Sequence, residues 1–165
     1  MPPERRARVD IVNPFEPGHG DVLRFPEGGF EVRDVVVDGR RVSFAGYLEE
    51  HHVDTRMPLV TDRDGALVNV SLEMVDPVSD VVTFHAPVFP EVAYRMAKPI
   101  GDYVSTLAAC EPAEPGTQTF SACSMLNYVY GQLAGRPTGL APGPVTFGEV
   151  AHQLLNQTLV TLTIE

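Results

Sequence analysis

The apolar and polar positions of this chain fall into short runs of two different periods. Alternation of period two marks a strand with one buried face. β-rich runs span Phe30 to Val37 and Arg41 to Leu48, with Asp38-Gly39 between them. An Asp-Gly pair between β-rich runs predicts a two-residue type I′ hairpin turn, because both central residues must take positive φ. In the second arm Val42, Phe44 and Gly46 are expected on one side, and Ser43, Ala45 and Tyr47 on the other. The device recurs where Met57 to Arg63 and Ala66 to Val75 flank Asp64-Gly65. There Leu67, Asn69, Ser71 and Glu73 alternate with Val68, Val70, Leu72 and Met74, which predicts a half-buried strand with one wet face. Val81 to Phe84 is a short apolar strand. Val92 to Ala97 also alternates, with a helix as the alternative.

After Pro99 the period changes. Ile100, Tyr103, Val104, Leu107 and Ala108 sit at helical spacing and predict an amphipathic helix of about three turns. Thr117 to Ala122 reads as a strand. Ser124 reads as the cap of a helix carrying Met125, Leu126, Val129, Tyr130 and Leu133. Gly135 to Pro144 is a loop, and Val145 to Val150 and Thr158 to Ile164 are strands. Residues 1–20 read as a flexible tail with an edge strand at Val9 to Val12, and residues 21–165 as a single domain. The expected class is α+β: a mostly antiparallel sheet built from hairpins, with two or three packed helices.

Composition narrows the function. Of 165 residues 44% are hydrophobic, enough to bury a core, while 15 prolines and 14 glycines enforce short elements. The formal net charge of −10 opposes binding to nucleic-acid backbones and to anionic membrane surfaces. The basic cluster Arg5-Arg6-Ala7-Arg8 reads as a solvated tail. Two cysteines, Cys110 and Cys123, fit a reducing cytosol. Neither a signal-peptide run nor the ~20 apolar residues of a membrane span is found in the sequence, so a soluble, cytoplasmic protein is expected.

Candidate chemistry concentrates near the C-terminus. Cys123 lies where a strand gives way to a helix, a place where N–H groups lower a thiol's pKa. The plainer reading is a small buried core residue. Glu149, between Gly148 and Val150, points either to water or into a pocket, and His152 follows three residues on. Cys123, His152 and Glu149 could form a nucleophile–base–orienter set, a grouping that composition permits and spacing does not establish. His51-His52, Glu49-Glu50 and Asp54 match neither a zinc nor a calcium spacing and read as a solvated turn. No metal and no cofactor is implied.

Phe120-Ser121-Ala122-Cys123, then a Gly/Pro-rich loop, Gly148-Glu149-Val150 and Asn156-Gln157-Thr158-Leu159-Val160 together resemble the end of the C-terminal domain of the FIST family. Departures are Ser124-Met125-Leu126-Asn127 where that family has an Arg, Leu155 where it has a His, and Val150 where Ile is usual. The resemblance implies an intracellular sensory domain that binds a small, amino-acid-like molecule. It places Cys123, Gly148, Glu149, Asn156 and Thr158 at the site; His152, by its spacing from Glu149, is expected to pair with that carboxylate or to line the same cavity. The expectation is therefore a ligand-binding sensor domain. A homodimeric interaction module, or a module for a partner protein, is the alternative, because exposed strand edges tend to be covered. A cysteine-dependent enzyme is the third reading.

Overall fold

The computed structural model describes residues 7–109, 118–150 and 154–164. In chain order the elements are β1 (Ala7–Val12), β2 (Leu23–Arg24), β3 (Gly29–Val32), β4 (Asp34–Val37), β5 (Arg40–Ser43), α1 (Phe44–Glu50), β6 (Leu59–Arg63), β7 (Ala66–Val70), β8 (Leu72–Asp76), β9 (Val81–Val88), β10 (Arg95–Met96), α2 (Tyr103–Ala109), β11 (Gln118–Ser124), α3 (Met125–Tyr130), β12 (Val145–Thr146), β13 (Glu149–Val150), β14 (Leu154–Leu155) and β15 (Leu159–Ile164). The class is α+β, with short strands in several small, mainly antiparallel sheets. Two compact units form, one over Phe15–Pro99 and one from Met1–Pro14 together with Ile100–Glu165.

The Phe15–Pro99 unit holds three three-stranded sheets, ordered β2-β4-β5, β3-β9-β8 and β10-β6-β7. Both Asp-Gly turns form as the sequence predicts. Asp38 and Gly39 have φ of 49° and 78°, and Asp64 and Gly65 have 55° and 88°. The Asp62 carboxylate locks the second turn by accepting the Gly65 N–H at 2.7 Å. The core gathers Leu23, Phe25, Val35, Phe44, Leu59, Phe84 and Tyr94. Phe25 is its hub, meeting Phe44, Phe84 and Tyr94 edge-to-face at centroid distances of 5.2, 5.8 and 5.6 Å.

Two expectations are corrected in this unit. The second arm of the first hairpin stops at Ser43, and Phe44–Glu50 is a helix rather than a strand. Ser43 Oγ accepts the Gly46 N–H at 2.9 Å, an N-cap bond that turns the chain. Phe44, Ala45 and Leu48 then fall on one buried face. The long arm after Asp64-Gly65 is also two strands. Antiparallel to β6, β7 ends at Val70, while β8 pairs with β9 through a register shift between Leu72 and Met74. The faces reset at this change of partner, so Asn69 and Ser71 are buried and Met74 is 52% exposed.

In the other unit the main sheet has the order β1-β15-β11-β12, antiparallel except for the β11–β12 pair. Helix α2 begins at Tyr103, later than Pro99. Asp102 sets its start by accepting the Val104 N–H at 3.2 Å and the Ser105 hydroxyl at 2.6 Å. Only Tyr103 and Leu107 of its predicted stripe are buried. Helix α3 follows Ser124 directly, but its buried residue is Asn127, and Val129 is exposed. Gly143 lies so close to β11 that a Cβ there would sit 1.5 Å from the Ser121 carbonyl oxygen.

Candidate functional site

A groove of about 630 Å³ lies between the β4–β5 hairpin and α1, inside the Phe15–Pro99 unit. Its size lies in the range of small-molecule sites. Val37, Asp38, Arg40, Val42 and Ser43 come from the hairpin, and Gly46, Tyr47, Glu50 and His51 from the helix and its end. The Ser43 cap builds the site. It directs α1 back past the hairpin, and its hydroxyl is tied to Asp80 at 2.5 Å. Spacing of i, i+4 on α1 then places Tyr47 and His51 together, with ring centroids 4.3 Å apart.

Tyr47 is half-buried, and its back stacks over Phe44 at 6.4 Å. Its hydroxyl donates to the Asp21 carboxylate at 3.1 Å. Burial, then the hydrogen bond to Asp21, then the charges of Asp21 and Asp38, push the phenol up to about 12. The ring therefore sits in a negative field. Arg40 is the one fixed cation of the lining, against the carboxylates of Asp38 and Glu50. A smaller crevice of about 180 Å³, lined by Glu27, Glu31, Arg33, Asp34 and Arg41, is already occupied by ion pairing, with Arg41 held on Asp34 at 2.6 Å.

The residues singled out from the sequence lie in the other unit. Cys123 and Thr158 lie close at the β11–β15 ladder, and Asn156 stands two residues before Thr158. Cys123 stands opposite Leu159 in the β11–β15 ladder, and the Thr158 carbonyl accepts from the Ser124 N–H at 3.0 Å and from Asn127 Nδ2 at 3.3 Å. All three side chains are buried. The Cys123 thiol donates to the Ser124 carbonyl at 3.7 Å. Gly148 is exposed, between β12 and β13. Glu149 pairs through its backbone with Leu155, next to Asn156; its side chain, and His152 and Cys110 entirely, lie outside the described residues. The polar knot extends to Gln157, which is fully buried at φ 55° with Nε2 donating to the Tyr103 hydroxyl at 3.4 Å. Asn127 Oδ1 and Thr161 Oγ1 are buried there without a hydrogen-bond partner.

Sequence reasoning missed the groove. It placed Tyr47 on a strand, and His51 and Glu50 in a solvated turn. The available signal was Ser43 three residues before Gly46, with Tyr47 and His51 four apart. Among the described residues no group of His, Cys, Asp and Glu is placed to hold a metal ion. No helix among them is long and apolar enough to cross a membrane.

Residues 1–165 match, over their whole length, the family of unknown function DUF6976, and the chain belongs to that family. No curated protein and no solved structure matches it. The resemblance to the FIST family is thereby corrected, since the family that covers the full chain is a different one. The short motifs behind that resemblance have an ordinary structural cause. Ser121, Ala122 and Cys123 are ladder residues facing β15, and Asn156-Gln157-Thr158 is the turn that leads into β15. Small and polar residues recur at such places in many folds.

Proposed function

We propose that the chain is a small-ligand-binding, sensor-like domain, and that the ligand occupies the groove between the β4–β5 hairpin and α1. One observation carries this reading: an open cavity of about 630 Å³ that sets an aromatic pair beside charges of both signs. Apolar walls with a few convergent polar groups are the usual make-up of such sites. Arg40, Asp38 and Glu50 give the lining charges of both signs, which suits a zwitterion such as an amino-acid-like ligand. Two cysteines in 165 residues support a cytoplasmic setting. Binding to the native state stabilises it by RT ln(1 + [L]/Kd), roughly 2.7 kcal/mol at a hundredfold excess over Kd. The test is thermal unfolding against a panel of amino acids and related metabolites. The expected result is a saturable rise in Tm for the native chain that Tyr47→Leu and Glu50→Gln diminish. A flat panel, or a rise that both variants keep, overturns the reading.

A second reading, association with another copy of this chain, is favoured by the main sheet of the other unit. Ala7, Val9 and Ile11 of β1, Val160, Leu162 and Ile164 of β15, and Phe120 and Ala122 of β11 share one face. Val9, Ile11, Phe120 and Ile164 are each about 40% exposed. The opposite face, with Ser121, Thr161 and Thr163, is the buried one. A second copy would meet this face with apolar side chains and bring no charge into the contact.

A further inference from the structure

Resting on the reading of self-association, we propose that two copies of the chain join through the outer edge of β1, strand against antiparallel strand, in the register that sets Val9 opposite Val9. Among the described residues β1 is the end strand of the sheet β1-β15-β11-β12, with β15 as its ladder neighbour. An edge strand turns a row of N–H and C=O groups outward, and a further strand can add to it. Ala7, Arg8, Val9 and Ile11 are exposed along this one.

The side chains of β1 select both the occupant and the register. Residues directly opposite in an antiparallel pair share a face, and a slip of one residue exchanges the faces. Val9 and Ile11 lie on the apolar face, opposite Leu162 and Val160, whereas Arg8 and Asp10 lie on the other, opposite Thr163 and Thr161. A register that sets Val9 against Asp10 would therefore run the apolar face of one sheet into the polar face of the next. Centring the pair on Arg8 sets arginine against arginine, and centring it on Asp10 sets aspartate against aspartate. Like charges directly opposite repel. Centring it on Ala7 or Ile11 leaves at least half of the strand unpaired. Centring it on Val9 sets Arg8 of each chain against Asp10 of the other, and Ala7 against Ile11. The strand is thus its own complement in charge, which argues for a second copy over an unrelated strand. The two charges are at the surface: within one chain Arg8 meets Asp10 at 2.8 Å with side chains 47% and 35% exposed. A guanidinium and a carboxylate each hold more than one hydrogen bond, so pairing within a chain and across the edge are compatible. Joining the edges also runs the two apolar faces into one.

Charge swaps on the full chain test the register. Arg8→Asp leaves carboxylates at both positions, and Asp10→Arg leaves guanidinium groups at both. In sedimentation velocity each variant alone is expected to associate about tenfold more weakly than the native chain, because both cross-strand pairs turn repulsive. An equimolar mixture of the two variants is expected to recover the native association, since every pair across the edge is again opposite in sign. The double variant Arg8→Asp/Asp10→Arg keeps all the pairs and should also associate as the native chain does. Single variants that associate as tightly as the native chain, or a mixture no tighter than its components, overturn the β1 edge while leaving contact through the apolar face, which does not carry Arg8 or Asp10. A native chain of constant monomer mass at every loading overturns both.

Discussion

Tyr47 shows how much chemistry one position can acquire from its neighbours. In the sequence it is one of five tyrosines, with nothing to set it apart. In the fold its hydroxyl is bonded to a residue 26 positions away, and its ring is held between Phe44 and His51. Its phenol, pushed up to about 12, should titrate late. Absorbance at high pH is expected to show a tyrosine transition near that value that Tyr47→Phe removes. Loss of no late-titrating component in the variant would disprove the assignment. The sign of the linkage follows. A raised folded-state value contributes stability that is fully present below the unfolded value of about 10 and is lost as pH rises toward 12. Tyr47→Phe should therefore flatten the decline of stability over that interval. Cys123 makes the converse case. The sequence permits a reactive thiol, whereas the ladder between β15 and β12 leaves it 6% exposed. Its alkylation at neutral pH should be slower than that of a simple thiol, with mass spectrometry reading the rate at that residue.

At the scale of elements, turn chemistry was legible and partner choice was not. Asp38-Gly39 and Asp64-Gly65 announce their hairpins because a local steric rule, positive φ at both positions, admits few residues. Helix α1 was hidden for the opposite reason. Phe44 to Leu48 holds no charged residue that would reveal a period, and the Ser43–Gly46 cap bond starts the helix. The exchange of β6 for β9 at Ser71 has no local signature, because β7 and β8 run on as one apolar-rich stretch while each pairs with its own neighbour across a turn. Close packing gives the sharpest test of these elements. A Cβ at Gly143 would fall 1.5 Å from the Ser121 carbonyl, an approach between two backbones that no side-chain rotation relieves. Gly143→Ala is expected to cost at least about 2 kcal/mol in urea unfolding. Gly101→Ala, with open space around it in the same unit, serves as the control and should lie within about 0.5 kcal/mol of the native chain. Equal stability of the two variants would refute the close approach.

Considered whole, the molecule turns one sheet inside out. Strand β15 reads Leu159, Val160, Thr161, Leu162, Thr163, Ile164, and the rule of apolar inside would bury Val160 and Leu162. The fold instead buries Thr161 and Thr163, leaving Val160 and Leu162 half-buried and Ile164 exposed. This exposed apolar face is the feature behind the proposed self-association. Its extent bounds the strength of the contact. Three strands about 4.8 Å apart and six residues long at ~3.4 Å each present roughly 300 Å², well short of the ~800 Å² per partner of a stable complex. Self-association should therefore be weak and rise with concentration. Sedimentation velocity is expected to show the mean mass increasing with loading, and Val9→Glu, a charge on the edge strand, should hold the chain monomeric. A native chain of constant monomer mass at every loading removes the dimer reading.

What could be read along the chain was what neighbouring residues decide: the α+β class, two hairpin turns and the strand over Leu159–Ile164. What required the fold was everything set by residues far apart in sequence. Packing buried Cys123, Asn156 and Thr158, and it built a groove that includes Tyr47 and His51, which the sequence reading had assigned to a strand and a turn. Turn conformations are governed by sterics within two or three residues. Burial and ligand access depend on which distant segment covers a side chain, and period alone carries no record of that.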